Sequence, residues 1–174
     1  MDDLKIIKQN CHNKNYMLDI VKQKGIYLEW ADETLKNDKE VVLEAVKQDG
    51  AALEFASDNL KDDKEILLNS LEKIGWVACY ASDRLKNDKD VILKAVKKDG
   101  QVLYYASEKL RNDKEVVLEA VKQKAIILKY ASKELRQDKD IAIAALNQNK
   151  KSISYIDESL LENEEVKNVL TKEE

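Results

Sequence analysis

Acidic and amide side chains recur along this chain in a pattern whose residue types could bind a metal ion or catalyse acid–base chemistry. An Asn/Asp pair is followed two residues later by another acid, as in Asn37, Asp38 and Glu40, and the group returns every 25 residues. Each pair directly precedes an apolar run, where Asn and Asp cap the first free N–H groups of a helix. The helix dipole favours the acid of the first turn. We therefore interpret these groups as helix caps and expect no metal or acid–base site.

Histidine, cysteine and serine supply no other catalytic or metal-binding set. The only histidine is His12, and the two cysteines are Cys11 and Cys79. This set is too small to ligate zinc, and no histidine lies near the recurring serines to activate a nucleophile. The cysteines lie in different repeats, so we expect free thiols and a reducing compartment. The sequence predicts a protein that is not an enzyme and has no cofactor.

The elements that carry these residues are six copies of a 25-residue unit without insertion or deletion, from residues 12–36 to 137–161. Such self-similarity is typical of repeat proteins, in which each unit packs on its neighbours. We expect an all-α fold, an α-solenoid of short helix-turn-helix repeats wound into a right-handed superhelix. Residues 1–11 are predicted to form an N-terminal cap, and residues 162–174 a C-terminal capping helix and tail.

Each unit is predicted to contain a first helix, over about 39–48 in the second repeat, and a short second helix over about 51–56. Glycine ends the first helix in four repeats, at Gly25, Gly50, Gly75 and Gly100, whereas Ala125 and Lys150 replace it later. Glycine there indicates a left-handed residue that closes the helix. A serine, Ser57 in the second repeat, is expected to cap a turn that ends in a buried leucine.

One aromatic residue recurs in every second helix. The series could be a platform on which nucleic-acid bases stack. We instead expect it to form the core, since an alanine follows five of its six members and lets the helices approach closely. The series comprises Trp30, Phe55, Tyr80, Tyr105, Tyr130 and Tyr155.

Composition narrows the class of protein further. The formal net charge is -4, which predicts no general attraction to polyanions. No apolar run is long enough to span a membrane, and Met1, Asp2 and Asp3 do not begin a signal peptide. We expect a cytoplasmic protein without membrane partners; delivery into a host cell by a route that uses no signal peptide stays open.

The unit reads L-[KR]-[ND]-D-K-[ED]-[VI]-x-L-x-[AS]-[VL]-K-x-x-G-x-x-L-x-[YF]-A-S-x-x-L across its central copies. This pattern resembles the helical repeat family catalogued as domain of unknown function 4116, over about residues 12–161. The resemblance implies an all-helical repeat of multi-repeat proteins from bacteria and microbial eukaryotes, some of them host-associated, with no assigned catalytic residues. The outer repeats depart from the pattern at Ala125, Lys150 and Asp157.

Positions that vary between repeats are free to specify a partner. The places held by Ala51 and Glu54 carry charged residues in some repeats, so we expect this face to be exposed, yet in the middle of the chain it is apolar. An apolar centre within a polar rim is typical of protein interfaces, so we predict a protein-binding site. Two alternatives stay open: Trp76 fills a gap beneath a loop, or it makes a homodimer contact. The predicted partner-binding residues are Ile74, Trp76, Cys79, Gln101, Tyr104 and Ile126.

Nucleic-acid binding is the alternative function, because some helical repeats read RNA one base per repeat. It requires a row of cations. Lys22, Lys47, Lys97 and Lys122 recur, but Glu72 interrupts them, and the lysines that follow the caps have acidic neighbours. We therefore do not expect a nucleic-acid partner.

Overall fold

The computed structural model describes residues 2–171, and within this range the chain forms helices and turns without β-strands. Each repeat contains a ten-residue α-helix, a six-residue 3₁₀ helix and a short helical turn. The long helices are α2 (Lys14–Gln23), α4 (Lys39–Gln48), α6 (Lys64–Lys73), α8 (Lys89–Lys98), α10 (Lys114–Gln123) and α12 (Lys139–Gln148). The 3₁₀ helices are η1 (Gly25–Trp30), η2 (Gly50–Phe55), η3 (Gly75–Tyr80), η4 (Gly100–Tyr105), η5 (Ala125–Tyr130) and η6 (Lys150–Tyr155).

The short turns are helices α3 (Glu33–Lys36), α5 (Asp58–Lys61), α7 (Asp83–Lys86), α9 (Glu108–Arg111), α11 (Lys133–Arg136) and η7 (Glu158–Leu160). Helix α1 (Asp2–Gln9) precedes the repeats, and α13 (Glu164–Thr171) follows them. The predicted first helix matches α4. The second helix, by contrast, is a 3₁₀ helix that begins at Gly50, and the turn after it is α-helical in the first five repeats.

The chain divides into two compact units, Met1–Leu85 and Lys86–Glu174, each with three repeats. In the first unit, α2, α4 and α6 pack side by side, and η1, η2 and η3 form a second row. The second unit repeats this arrangement with α8, α10 and α12 and with η4, η5 and η6. The predicted all-α fold of stacked helical repeats is confirmed; the handedness of a superhelix stays a prediction.

The core of each unit lies between the two rows of helices. Val41, Val42, Ala45 and Val46 of α4 are all completely buried, because this helix contacts its own 3₁₀ helix and the helices of both neighbouring repeats. This explains the broad apolar circumference read from the sequence. From the second row, Leu53 of η2 contributes to the core, and its side chain is also completely buried.

The terminal helices cover the ends of the repeat array. In α1, the side chain of Ile7 is buried, and the Lys8 ammonium lies 4.7 Å from the ring centroid of Trp30. Helix α13 packs on α12 as a further copy of the first helix of a repeat. Its N-terminus is capped by Asn163, whose Oδ1 accepts from the amide of Glu165 at 3.0 Å, and Val166 is completely buried.

Aspartate caps five of the six long helices, as predicted, and Asn13 caps α2. Asp38 Oδ1 accepts hydrogen bonds from the amides of Glu40 and Val41 at 3.0 and 3.2 Å. Asn37, which the sequence analysis also interpreted as a cap of this helix, instead ends α3. Its Oδ1 accepts from the hydroxyl of Ser57, which caps α5, at 2.6 Å, so the bond joins the short turns of the first and second repeats. The Asn/Asp pair therefore divides its roles between capping a helix and linking adjacent repeats.

The prediction of left-handed glycines was wrong: no residue in the described part of the chain has a positive φ. Asp49 ends α4 in an extended conformation, with φ −140° and ψ 111°, and Gly50 then begins the 3₁₀ helix. Glycine is required for space instead. A Cβ at Gly50 would lie 2.6 Å from the carbonyl oxygen of Ser70 in the next repeat. A glycine at this position thus allows its 3₁₀ helix to lie against the long helix of the next repeat.

The aromatic series does not form the centre of the core. All six side chains are only half-buried. For Tyr130 the reason is visible, since its ring lines an open groove of about 390 Å³ together with Arg111 and Ser132. The core residues of the 3₁₀ row are instead aliphatic, and in the second unit they are Val102, Leu103, Ile127 and Leu128.

Candidate functional site

The 3₁₀ geometry determines which residues of the second row face outward. A 3₁₀ helix has about three residues per turn, so residues three apart lie one above the other. In η2, Ala52 and Leu53 are buried, whereas Ala51 is half-buried and Glu54 is exposed. The corresponding pairs in later repeats share this outward face. The predicted exposure of these positions is therefore confirmed.

The six predicted site residues separate into two sets, one in each unit. We call Ile74, Trp76 and Cys79 the Trp76 patch, which belongs to the first unit. We call Gln101, Tyr104 and Ile126 the Tyr104 patch, which belongs to the second unit.

Trp76 is the exposed member of the Trp76 patch. Its side chain is 40% exposed, whereas Ile74 and Cys79 are half-buried. The indole contacts Tyr80 edge-on, with ring centroids 5.8 Å apart and planes at 64°. This edge-on geometry is favourable for aromatic pairs and holds the indole on the surface of η3. Trp76 therefore does not fill a closed gap beneath a loop.

Ile74 occupies a place where aspartate has a structural role in other repeats. Asp49 and Asp99 accept a hydrogen bond from the second amide of the following 3₁₀ helix, at 3.0 and 2.9 Å. Ile74 has no side-chain oxygen, so η3 begins without a side-chain cap. Loss of such a cap costs about 1 kcal/mol. The local structure of the repeat does not explain why an isoleucine should replace aspartate here.

All three residues of the Tyr104 patch are exposed, with Tyr104 at 54% and Ile126 at 40%. The Tyr104 ring lies 5.1 Å from the Tyr105 centroid and 4.9 Å from the Tyr130 centroid. The ammonium of Lys129 lies 4.7 Å from the centroid of Tyr130, a distance at which cation–π attraction operates. The exposed ring of Tyr104, two half-buried tyrosine rings and one cation thus lie together across two repeats of the second unit.

The lysines that follow the caps are paired with carboxylates of the next repeat. Lys89 Nζ lies 2.8 Å from Asp113 and 2.9 Å from Glu115. Lys14, Lys39 and Lys114 form the same double ion pair. Because these cations are already neutralised, they are not available to bind phosphates. Hydrogen bonds to the two carboxylates raise the pKa of Lys89 above its usual value.

The paired aspartates make stability depend on pH. Partial burial of Asp113 would raise its pKa, but hydrogen bonds from Lys89 and from the amide of Val116 hold the pKa below its usual value. Such a group stabilises the fold above its unfolded-state pKa of about 3.9, and this contribution is lost as the pH falls through the lower folded-state pKa. Asp38, Asp63 and Asp138 behave in the same way.

We expect Asp113→Asn to lose less stability than the wild type as the pH falls below about 4. Asparagine keeps a side-chain oxygen that caps α10 but does not titrate. The measurement is the melting temperature as a function of pH. Asp58→Asn is the control, because it makes the same change at a fully exposed side chain. Parallel curves for wild type and Asp113→Asn would contradict the assigned role of Asp113.

The sequence analysis missed a pocket between η5 and η6. The pocket has a volume of about 360 Å³ and lies where the 3₁₀ helices of adjacent repeats meet. The Ser152 hydroxyl in its lining is buried and has no hydrogen-bond partner in the described part of the chain. One residue in the sequence could have indicated this pocket: Ser152 stands where the three preceding repeats carry Val77, Val102 and Ile127. The pocket is lined by Ala125, Ile126, Asn149, Lys151, Ser152, Ser154 and Tyr155.

The structure gives no support to a metal site, a disulfide or a membrane-spanning helix within the residues that it describes. In the part of the chain that the structure describes, no cluster of His, Cys, Asp and Glu side chains is arranged to hold a metal ion. Cys11 and Cys79 form no disulfide bond in the described part of the chain. Over the same described range, no helix has both the length and the apolar character needed to cross a bilayer.

Comparison with known proteins identifies the repeat. No curated protein and no solved structure was found to match the chain. A family model described as "Domain of unknown function (DUF4116)" matches residues 13–61, 63–111, 88–136 and 113–161, in windows that overlap over the later repeats. The matched residues cover most of the sequence and coincide with the repeats seen in the fold. The chain therefore belongs to the DUF4116 family.

Proposed function

We propose that this protein is a non-catalytic protein–protein interaction module, a repeat scaffold that binds, recruits or inhibits a protein partner. The observation that carries the proposal is the exposure of Trp76, Tyr104 and Ile126 on the outward face of the 3₁₀ helices. Large apolar side chains on the surface are characteristic of interaction sites, and tryptophan and tyrosine are the residues that most often dominate binding energy.

Position within the repeat strengthens this interpretation. The residues equivalent to Tyr104 are Glu29, Glu54, Lys129 and Ser154 in other repeats, so the fold does not require an aromatic residue there. Ile74 likewise replaces an aspartate that would cap the following helix. An apolar residue that the fold does not need, placed on the surface, is best explained by contact with a partner.

Nucleic-acid binding has weaker support. The lysines that follow the caps are neutralised, since Lys14, Lys39, Lys89 and Lys114 each pair with two carboxylates. In the other row of lysines, Glu72 interrupts the series, and Lys47 and Lys122 pair with Glu44 and Glu119. Lysines bind nucleic acids by neutralising phosphates and so releasing the counterions condensed on them. A lysine that is already paired with carboxylates does this less effectively.

Trp76→Ser and Tyr104→Ser are each expected to weaken partner binding by about 2 kcal/mol or more while leaving the melting temperature nearly unchanged, because hot-spot side chains act in the complex. The experiment is a nuclease-treated pull-down from the source cell, followed by titration of the captured protein. Glu54→Ser is the matched control, since it alters the same exposed position in the second repeat.

Equal capture by wild type and both serine variants would place the binding site elsewhere. Capture by the wild type that occurs in an untreated lysate and disappears after nuclease treatment would replace the proposal with nucleic-acid binding.

A further inference from the structure

The pocket between η5 and η6 differs chemically from the equivalent surface of the other repeats. Residues 120–131 and 145–156, which contain these two 3₁₀ helices, include five lysines and no acid. The equivalent residues of the first four repeats all contain an acid: Glu29, Asp49 and Glu54, Glu72, and Asp99. In a chain of net charge -4, this is a local reversal of charge.

Three of the five lysines are available to a ligand. Lys124, Lys129 and Lys151 are exposed, and no carboxylate in the described part of the chain lies within ion-pair distance of their ammonium groups. Lys122, in contrast, pairs with Glu119 at 2.7 Å. Lys151 itself lines the pocket. Lys129 and Lys151 belong to the 3₁₀ helices that form its walls, and Lys124 directly precedes η5. The ammonium of Lys129 also lies over the ring of Tyr130.

The pocket is suited to an apolar side chain. Its volume of about 360 Å³ is within the usual range for ligand sites, about 300–1,000 Å³. Ala125, Ile126 and Tyr155 supply apolar walls, and Ser154 leaves space where an aromatic ring stands in the fourth repeat. The buried Ser152 hydroxyl offers an unused hydrogen-bonding group beside the pocket.

We propose that this pocket binds a peptide segment of a protein partner in which one large apolar side chain is flanked by aspartate or glutamate. The apolar side chain enters between Ile126 and Tyr155, and the carboxylates pair with Lys124, Lys129 and Lys151. This proposal rests on the proposed function and specifies the chemistry of the partner. A nucleic acid would also meet the cations, but it would leave the apolar pocket without a matching group.

The test is to pan a phage-displayed library of random peptides on the full chain and to measure the enriched peptides by fluorescence polarisation. We expect enriched sequences to combine an apolar residue with adjacent acids. Ser154→Tyr should weaken their binding by about tenfold or more, because the ring fills the pocket. Tyr104 occupies the equivalent position in the fourth repeat, which indicates that the fold accepts tyrosine there.

A second variant tests the charges and leaves the apolar walls of the pocket unchanged. Lys124→Glu combined with Lys151→Glu should weaken binding about tenfold or more, with the loss greatest at low salt. Lys24→Glu is the matched control, since Lys24 holds the position of Lys124 in the first repeat and should leave binding unchanged. Melting temperatures near that of the wild type verify that each variant is folded.

Several outcomes would overturn the proposal. One is the absence of any enriched peptide, and another is enrichment of peptides that Ser154→Tyr still binds. Peptides lost with Trp76→Ser but retained by Ser154→Tyr would refute this pocket and keep the interaction module. Tight, lysine-dependent binding of a labelled oligouridine without peptide enrichment would identify a nucleic-acid ligand. A wild-type dimer that Ser154→Tyr dissociates in sedimentation would identify a second copy as the occupant.

Discussion

Leu103→Ala is expected to lower the free energy of unfolding by about 2–5 kcal/mol, the range observed when a buried leucine is truncated. Leu103 is completely buried between η4 and the long helices, so its removal leaves a cavity that the neighbouring helices can close only in part. Urea unfolding followed by circular dichroism measures the change.

Tyr105→Ala is the informative comparison for Leu103→Ala. Tyrosine is the larger side chain, but it is half-buried, so we expect its truncation to cost less than that of leucine. The opposite order would show that the aromatic series carries the core after all, as its recurrence in every repeat first indicated.

Gly100→Ala is expected to cost about 1–3 kcal/mol, the usual penalty for inserting atoms into a packed contact. A Cβ at Gly100 would lie 2.5 Å from the carbonyl oxygen of Ala120 and 3.1 Å from the Cβ of Gln123. The backbone φ is not the cause, because no glycine in the described chain has a positive φ. The penalty arises because η4 and α10 would have to separate.

The fifth repeat supplies a natural control for Gly100→Ala. Ala125 occupies the same position there, and its amide donates to Gln148 Oε1 at 3.1 Å, whereas the equivalent bond from Gly25 to Gln48 is 2.5 Å. Ala125 is buried there, so the contact in this repeat already accommodates a methyl group. Ala125→Gly should therefore change stability by no more than about 1 kcal/mol. A cost for Gly100→Ala that is no larger would contradict the steric explanation.

The exposure of the predicted site could be derived from repetition alone. The position of Tyr104 carries glutamate, lysine or serine in other repeats, and a buried position would not accept those residues. The structure adds the contacts within each patch. Tyr104 lies against Tyr130, 26 residues later, because the 3₁₀ helices of successive repeats pack side by side. Spacing along the chain does not reveal a contact of this kind.

Local sequence was sufficient to predict the repeat, the long helices with their aspartate caps and the outward face of the second row. These features depend on hydrogen bonds and periodicity within a few residues. Only the tertiary structure revealed the glycine contacts, the link from Asn37 to Ser57, the half-buried aromatics and the pocket beside Ser152. All of these depend on the distance between neighbouring repeats. That distance is determined by how side chains from residues more than 20 positions apart pack together.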